Sequence, residues 1–210
     1  MLTYLDGGLP VVTKQRLSAP ERRTQTLERV SRAFAAKGFV GTTSADLAQA
    51  AGVSQGMLYK LFGSKRALYQ SMIEHKLAHA GWGDFPSDAK ASEEEFFRSM
   101  AQAIFAKVEA DPDFVRLLLF SDLQGSEFAE LFHEAMGGAV VAAVADFLRH
   151  RVASGHVREL DADVTGIAFL CMTWQYAVGT KVFCQSRLPK APDEEVIETL
   201  VSLFLQGIQR

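Results

Sequence analysis

The stretch at residues 43–62, TSADLAQAAGVSQGMLYKLF, decides the fold of the N-terminal part of this chain. Two short helical patterns flank a glycine turn at Ala51-Gly52-Val53. Gly52 can adopt the positive φ that the bend needs, whereas a residue with a Cβ adopts it only at a cost. Leu47 and Leu58 supply apolar contacts on the two sides of the turn. The spacing predicts a helix-turn-helix, in which two short helices pack near a right angle.

Each of these two helices has a start signal. Thr43 can cap the first helix, with Asp46 three residues later near the positive end of the helix dipole, and Ser54 can cap the second. The second helix then exposes a mixed polar and aromatic set that suits the major groove of DNA. Helix-turn-helix geometry also occurs as ordinary packing inside all-α proteins. The candidate DNA contacts on and before the second helix are Ser54, Gln55, Gly56, Met57, Tyr59 and Lys60.

The charge distribution favours a polyanion at this end of the chain. Residues 14–76 carry eleven lysines and arginines against four acids, a net charge of +7, whereas residues 77–210 carry eleven against twenty, a net charge of −9. The helix-turn-helix therefore lies in the basic part of a protein whose net charge is −3. This asymmetry favours nucleic acid here and argues against it elsewhere, although a basic face can also be a plain solvated surface.

Length and composition predict a cytoplasmic globular protein. With 210 residues, of which 48% are hydrophobic, the chain can form one large or two small domains. Cys171 and Cys184 lie in an apolar stretch, which indicates buried thiols in a reducing compartment rather than a disulfide or a metal pair. Residues 1–10 lack the pattern of a secretory signal. Residues 164–183 contain Gln175 and Lys181, which make them a poor membrane span, so no membrane partner is expected.

Helical periodicity predicts an all-α chain of about nine helices in two domains. Residues 1–17 are predicted to be a flexible arm, residues 18–80 the helix-turn-helix domain, residues 81–91 a linker and residues 92–210 a helical bundle. A first helix over residues 19–37 braces the helix-turn-helix, and a fourth follows Gly63-Ser64. Further helices are predicted over residues 92–110, from residue 112, and over residues 126–153, 161–184 and 192–209.

The first helix has its own stop signal. Gly38 is predicted to end it, and Phe39 can then fold back on Phe34.

In the predicted seventh helix, Gly137-Gly138 stands among alanines, which indicates close helix packing or a local break beside a cavity. The last two predicted helices are apolar on more than one face, so they need a second cover. A partner subunit would provide that cover, and a helix pair buried within one chain is the alternative.

An ordered set of short motifs surrounds and includes residues 43–62. They are Arg32-Ala33-Phe34, Gly38-Phe39, Thr42-Thr43, Asp46-Leu47-Ala48, Ala51-Gly52-Val53-Ser54, Gly56-Met57-Leu58-Tyr59, Phe62 and Ser64-Lys65-Arg66-Ala67-Leu68. In order and spacing, over residues 20–75, these motifs resemble the DNA-binding domain of the tetracycline-repressor (TetR) family.

The resemblance implies a homodimeric transcriptional regulator, more often a repressor, on a pseudo-palindromic double-stranded DNA operator. Its third helix would enter the major groove, its C-terminal domain would hold a small, largely apolar effector, and its dimer interface would lie in the last two helices. By the same resemblance, Thr43, Tyr59 and Lys65 look like phosphate contacts. Gln55, Gly56 and Lys60 lie where family members contact bases or adjacent phosphates.

One residue departs from the family pattern. Leu61 stands where the family usually has histidine, tyrosine or another polar or aromatic residue. A DNA backbone contact that is common in the family is therefore in doubt here, and Gln55, Tyr59 and Lys60 are expected to contribute more of the affinity.

The effector-binding residues are harder to predict, because aromatic and polar positions on amphipathic helices are more often ordinary core or surface. The abundance of aromatic residues favours an apolar or aromatic ligand. The candidate pocket residues are Phe97, Phe105, Arg116, Phe120, His133, Trp174 and Tyr176.

The sequence gives little evidence of a catalytic or metal site. Glu130 and His133 have the spacing of a di-iron motif, but a second copy is missing. His75 and His79 lie one helical turn apart without an evident third ligand. The sequence has no glycine-rich phosphate loop and no nucleophile elbow. We therefore expect no enzyme activity, no cofactor and no metal. A helix-turn-helix protein without an effector, an activator and a helical-bundle metalloenzyme are the rival hypotheses.

Overall fold

A computed structural model describes residues 18–79, 81, 84–125, 128–133, 138–183 and 191–209. These residues form ten α-helices, and their only β-type pairing is an isolated bridge between Val157 and Gln209. The all-α fold, with a helix-turn-helix followed by a second helical region, is confirmed. The predicted arm at residues 1–17 lies outside the described residues. The N-terminal helices are α1 (Ala19–Gly41), α2 (Ser44–Ala51), α3 (Gln55–Phe62) and α4 (Lys65–His79).

The other six helices build the C-terminal region. In it, α5 packs against both α9 and α10, and α8 packs against α9, while α6 reaches back to α1. The helices are α5 (Glu93–Ala110), α6 (Pro112–Leu123), α7 (Phe128–Phe132), α8 (Gly138–Ala153), α9 (Ala162–Lys181) and α10 (Asp193–Ile208).

The backbone of α1 breaks at Gly38, where the sequence predicts its stop. Gly38 has φ 70°, and the chain continues in helical form to Gly41 beyond the break. Phe39 then lies near Phe34, with ring centroids 6.4 Å apart, as the C-cap pattern predicts. Glycine is favoured at position 38 for its φ, and a Cβ there would also stand 3.0 Å from Phe120 Cδ1 of α6, so the Phe120 ring would have to shift.

The helix-turn-helix domain has an apolar core that continues into α6 and α7. Its first helix packs against α2, α4 and α6, so the two short helices of the motif rest on a longer support. Side chains from all four helices are fully buried at its centre, where burying each large apolar side chain contributes about 1.5–3 kcal/mol. These residues are Phe34, Leu47, Leu58, Leu68, Tyr69 and Met72.

Within the helix predicted over residues 126–153, the structure describes α7 and α8, and residues 134–137 between them lie outside the described residues. The ten described helices agree with the prediction of about nine. Two other expectations about the C-terminal region were wrong. The predicted helix over residues 161–184 ends at Lys181, where the Arg116 guanidinium donates to the Val182 carbonyl at 3.0 Å. Cys171 is an exposed free thiol rather than a buried one, because it lies on the outer face of α9, and Cys184 lies outside the described residues.

Candidate nucleic-acid interface and internal cavity

The two helices of the motif begin and end at local signals that the sequence contains. Thr43 and Asp46 form a capping box, in which Thr43 N donates to Asp46 Oδ2 at 2.9 Å and Asp46 N donates to Thr43 Oγ1 at 3.1 Å. The bonds that the Thr43 N–H and the Thr43 hydroxyl donate to the Asp46 carboxylate, with a smaller contribution from Lys37, lower the Asp46 pKa from 3.8 to about 2. Gly52 closes α2 in the left-handed conformation, and Ser54 Oγ caps α3 through Met57 N at 3.2 Å.

The exposed side of α3 brings the predicted DNA contacts together. Leu58 and Phe62 are buried against the domain core, which turns the opposite side of the helix outwards. A Cβ at Gly56 would meet no atom within 4 Å, so the surface there is open to a close approach. Of the predicted contacts, Ser54, Gln55, Gly56 and Lys60 are exposed, and Met57 and Tyr59 are half-buried.

Thr43 and Tyr59 are both engaged within the motif. The Thr43 hydroxyl donates to Asp46 Oδ2 at 2.8 Å. The Tyr59 hydroxyl forms a hydrogen bond with Ser44 Oγ, which ties α3 to the first turn of α2. Ser44 thereby positions Tyr59, a predicted phosphate contact. Sequence spacing did not identify Ser44, because the two residues are fifteen positions apart and only the turn brings them together.

Two arginines of α1 hold the motif from behind, and neither was predicted. Arg23 Nη1 donates to the Leu61 carbonyl at 2.9 Å and Nη2 donates to Ser71 Oγ at 3.0 Å, while its guanidinium lies 4.3 Å from the Phe62 ring centroid. Arg29 donates to the Ala51 carbonyl at 3.1 Å. Each guanidinium satisfies a carbonyl in the last turn of a short helix, where intrahelical partners are missing.

Lys65 stands at the start of α4, beside the recognition surface. Its Nζ lies 4.6 Å from the Phe39 ring centroid, a cation–π distance, and partial burial lowers its pKa. The Ser64 hydroxyl caps the same helix through Ala67 N at 3.1 Å. A phosphate beside the first turn of α4 would meet the positive end of the helix dipole and the Lys65 ammonium together.

An aromatic cluster connects this domain to the C-terminal helices. Phe128 of α7 lies 5.5 Å from the Phe39 ring and 4.7 Å from the Tyr69 ring. The Tyr69 hydroxyl is 3.0 Å from Ser121 Oγ of α6, and burial raises the Tyr69 pKa. Because Phe39 also lies under Lys65, α6 and α7 touch the same aromatic group that supports a predicted phosphate contact.

The other sides of α6 and α7 line a cavity of about 350 Å³ in the C-terminal region, which is open to solvent beside exposed residues such as His133 and Cys171. Its wall is mainly aliphatic and aromatic and also draws on α5, α8 and α9. At its polar side, His133 Nε2 lies 3.0 Å from Asp122 Oδ1. Representative apolar lining residues are Ile104, Leu118, Leu119, Phe132, Val140 and Leu170.

The seven predicted pocket residues do not lie in one place in the structure. His133 and Trp174 line the cavity. Phe97 lies in an aromatic cluster of the core, 4.7 Å from the Phe169 ring, and does not line it. Phe105 and Tyr176 pair with each other, with ring centroids 6.2 Å apart. Arg116 and Phe120 line a second groove between α1 and α6.

The last two helices differ in what they leave exposed. On α9, Val164 and Ile167 are 64% and 46% exposed, and Ala168 and Cys171 are exposed on the same side at helical spacing. Ile167 and Cys171 also line the cavity, which therefore opens beside this side of the helix. The outer side of α10 is more polar, with Leu203 as its large exposed apolar residue. An uncovered apolar stripe therefore belongs mainly to α9.

Comparison with known families identifies the class of protein. Residues 27–72 match the model of the bacterial regulatory proteins of the tetR family. Residues 94–207, more than half of the chain, match the AefR-like transcriptional repressor C-terminal domain. The chain belongs to the TetR family. TetR-family proteins are DNA-binding transcriptional regulators, which agrees with the exposed side of α3.

Individual TetR relatives resemble different parts of the chain. The HTH-type transcriptional regulator TtgR of Pseudomonas putida is 38% identical over 64 residues, and this match spans 30% of this chain and 30% of TtgR. The structure of the regulator PfmR from Thermus thermophilus has a TM-score of 0.64 at 28% identity, covering 88% of this chain and 99% of PfmR. A regulator from Chloroflexus aurantiacus has a TM-score of 0.75 at 15% identity, covering 97% of this chain and 100% of that one.

The structure also bears on the predicted histidine pair and on the candidate membrane span. The His75 and His79 rings lie 4.3 Å apart on α4. Over the described segments, no group of three or more His, Cys, Asp or Glu side chains is arranged to hold a metal ion. Within the same segments, no helix has the length and apolar character that crossing a bilayer requires.

Proposed function

We propose that the chain is a homodimeric, cytoplasmic transcriptional repressor that leaves a pseudo-palindromic operator when a small, largely apolar molecule occupies the cavity. The observation that carries the proposal is the two-sided position of α6 and α7. Phe132 and His133 face the cavity, whereas Phe128 contacts the aromatic cluster of the DNA-binding domain. One pair of helices thus connects the effector site to the DNA site.

DNA recognition is assigned to the exposed side of α3 and to its flanks. Gln55, Gly56 and Lys60 face the major groove, with Ser54 and Met57 at its edge. Thr43, Tyr59 and Lys65 contact phosphates on either side. The Leu61 side chain is half-buried and its carbonyl accepts from Arg23, so Leu61 acts as an anchor of the recognition helix rather than as a phosphate contact.

The dimer is assigned to α9 and α10, through the apolar stripe that contains Val164 and Ile167. An isologous interface of this kind would cover the stripe and set the distance between the two recognition helices. An effector that binds better to a conformation with a different distance lowers operator affinity by its differential affinity for the two states. The match to an AefR-like repressor domain favours repression over activation.

The DNA assignment can be tested with an operator selected from fragmented genomic DNA. Lys65→Ala and Tyr59→Phe proteins should bind this operator less tightly. Lys65→Ala should also reduce the slope of log affinity against log salt by about 1, because one phosphate contact is lost. Lys90→Ala is the matched control, since Lys90 is an exposed lysine between α4 and α5. Undiminished binding by both variants would refute the assignment.

A helix-turn-helix regulator without an effector is the second candidate. It would share the DNA surface, but small molecules would leave its operator affinity unchanged. A titration of the protein–operator complex with apolar compounds, followed by fluorescence anisotropy, separates the two functions. Release of DNA at saturating compound supports the repressor, whereas tighter binding or enhanced transcription in vitro supports an activator.

A further inference from the structure

The ionisable groups of the cavity favour a cation. Its thirteen described lining residues include one carboxylate, Asp122, and one imidazole, His133, whose Nε2 already lies 3.0 Å from Asp122 Oδ1. Lysine and arginine are absent from this described lining. A ligand carboxylate or phosphate would therefore meet no lysine or arginine there, and it would be repelled by Asp122.

Asp122 is placed to accept a hydrogen bond from a ligand. It lies on α6 beside Leu118 and Leu119, and its side chain is 39% exposed. His133 Nε2 lies 3.0 Å from Oδ1, yet an ionised carboxylate can accept about four hydrogen bonds through its two oxygens. A bond from a ligand donor gains strength from the charge of the carboxylate, and more if the donor is also charged.

The volume limits the size of the ligand. At about 350 Å³ the cavity lies near the lower end of the range of about 300–1,000 Å³ for small-molecule sites. Its mainly aliphatic and aromatic wall favours a hydrocarbon or aromatic body. A nucleotide or a coenzyme A thioester combines too great a size with the wrong charge.

We propose that the effector is a compact apolar amine, whose ammonium group binds Asp122 and whose hydrocarbon body fills the space between Leu118, Val140 and Leu170. Charge selects the ligand class: a cation binds best, a neutral hydroxyl compound less well, and an anion of the same shape is excluded. This inference rests on the proposed function, since it assumes that the cavity is the effector site.

Three probes with a matched phenylalkyl body test the order of affinities: 4-phenylbutylamine, 4-phenylbutanol and 4-phenylbutyrate. Their binding to the full-length protein is measured by calorimetry at neutral pH. The amine should bind about tenfold more tightly than the alcohol, equivalent to ~1.4 kcal/mol. The acid should give no saturable binding at concentrations that saturate with the alcohol. Binding of the acid as tight as that of the amine overturns the proposal.

Variants on α6 assign the preference to one carboxylate. Asp122→Asn should remove the advantage of the amine while leaving alcohol binding within about threefold, because the amide keeps the shape and loses the charge. Asp113→Asn is the matched control on the same helix, since Asp113 pairs with Arg116 and lines the other groove. It should leave the order unchanged. An amine advantage that survives in Asp122→Asn, or disappears in Asp113→Asn, contradicts the proposal.

A cavity-filling variant separates this inference from the proposed function. Leu119 is half-buried in the wall, so Leu119→Trp should block all probes that bind there, while circular dichroism and operator binding confirm that the protein is folded. If alcohol and amine still bind to Leu119→Trp as they do to the parent, the cavity is not the effector site and the proposed function fails. If binding is blocked but shows no charge order in the parent, only the inference fails.

Discussion

The DNA-binding domain and the C-terminal region bury their apolar residues to different extents. In the DNA-binding domain, each of the four helices buries apolar side chains. The short helices α2 and α3 are capped at their N-termini, and at their C-termini Arg29 and Arg23 bind backbone carbonyls. In the C-terminal region, α9 leaves Val164 and Ile167 exposed, and a mainly apolar cavity lies beside it. The difference supports the proposal that a ligand and a second copy cover the apolar surface of the C-terminal region.

The largest effect is expected where the C-terminal region is incomplete. Ile167→Asp places a charge on the exposed stripe of α9, twice in a two-fold dimer, where it would be buried without a partner. We expect the dimer to weaken by more than about a hundredfold, while the monomer stays folded because Ile167 is 46% exposed. Sedimentation velocity measures the first effect and chemical denaturation the second.

A matched control keeps this test specific. Val40 is a large apolar residue that is 75% exposed in the DNA-binding domain. Val40→Asp should leave the dimer intact although it adds the same charge. If Ile167→Asp remains a dimer of unchanged affinity, α9 does not form the interface, and the contrast between the two regions loses its explanation.

A smaller effect is expected in the DNA-binding domain. Arg23→Met removes the hydrogen bonds to Leu61 and Ser71 and leaves the chain well packed, since methionine retains much of the side-chain volume. Operator affinity should fall by roughly fivefold, corresponding to about 1 kcal/mol, because the recognition helix is less firmly oriented.

The salt dependence of operator affinity distinguishes a residue that orients the recognition helix from one that contacts a phosphate directly. With Arg23→Met, the slope of log affinity against log salt should stay as in the parent, whereas Lys65→Ala reduces it by about 1. A slope that also falls by about 1 with Arg23→Met means that Arg23 contacts a phosphate itself. The recognition helix would then be oriented by other residues.

The smallest effect concerns a single helix cap. The Asp46 pKa is lowered from 3.8 to about 2 in the folded protein, so the ionised form is favoured by folding. The stability that this group contributes is fully present above pH of about 4 and is lost as the pH falls towards 2. Asp46→Asn should therefore be less stable than the parent near neutral pH, and the difference should vanish near pH 2.

Urea denaturation at a series of pH values measures this difference. Glu159→Gln, which removes an exposed carboxylate in the loop between α8 and α9, is the control and should show no comparable pH dependence. A stability difference for Asp46→Asn that persists unchanged below pH 2 would show that the charge of Asp46 is not what stabilises α2.

Much of the DNA-binding domain was predictable, because its signals are local. The caps at Thr43 and Ser54 and the left-handed Gly52 each act within about four residues, and they stand where the pattern of residues 43–62 predicts them. The bonds from Arg23 and Arg29 were not predictable. A side chain of α1 reaches the end of α2 or α3 only after the helices have packed, and exposed arginines in a helix have no distinguishing spacing.

The cavity was harder to predict for the same reason. His133 and Trp174 line it, whereas Phe97 and Phe105 lie in the packed core, although all four are aromatic residues on apolar helices. Periodicity indicates that a side chain points inwards, but it does not distinguish a filled interior from an open one. Asp122 was not identified from the sequence, since a single acid near the end of a helix is usually solvated.

The sequence by itself determined the helical class, the turn at Gly52, the break at Gly38 and the basic character of the DNA-binding domain, because these depend on backbone preferences and charges within a few residues. Only the tertiary structure decided which helix faces meet. It placed Phe128 against Phe39 and Tyr69, left the stripe on α9 open, and put one carboxylate beside an apolar cavity. Such contacts join residues far apart in the chain, so their geometry exists only once the whole fold has formed.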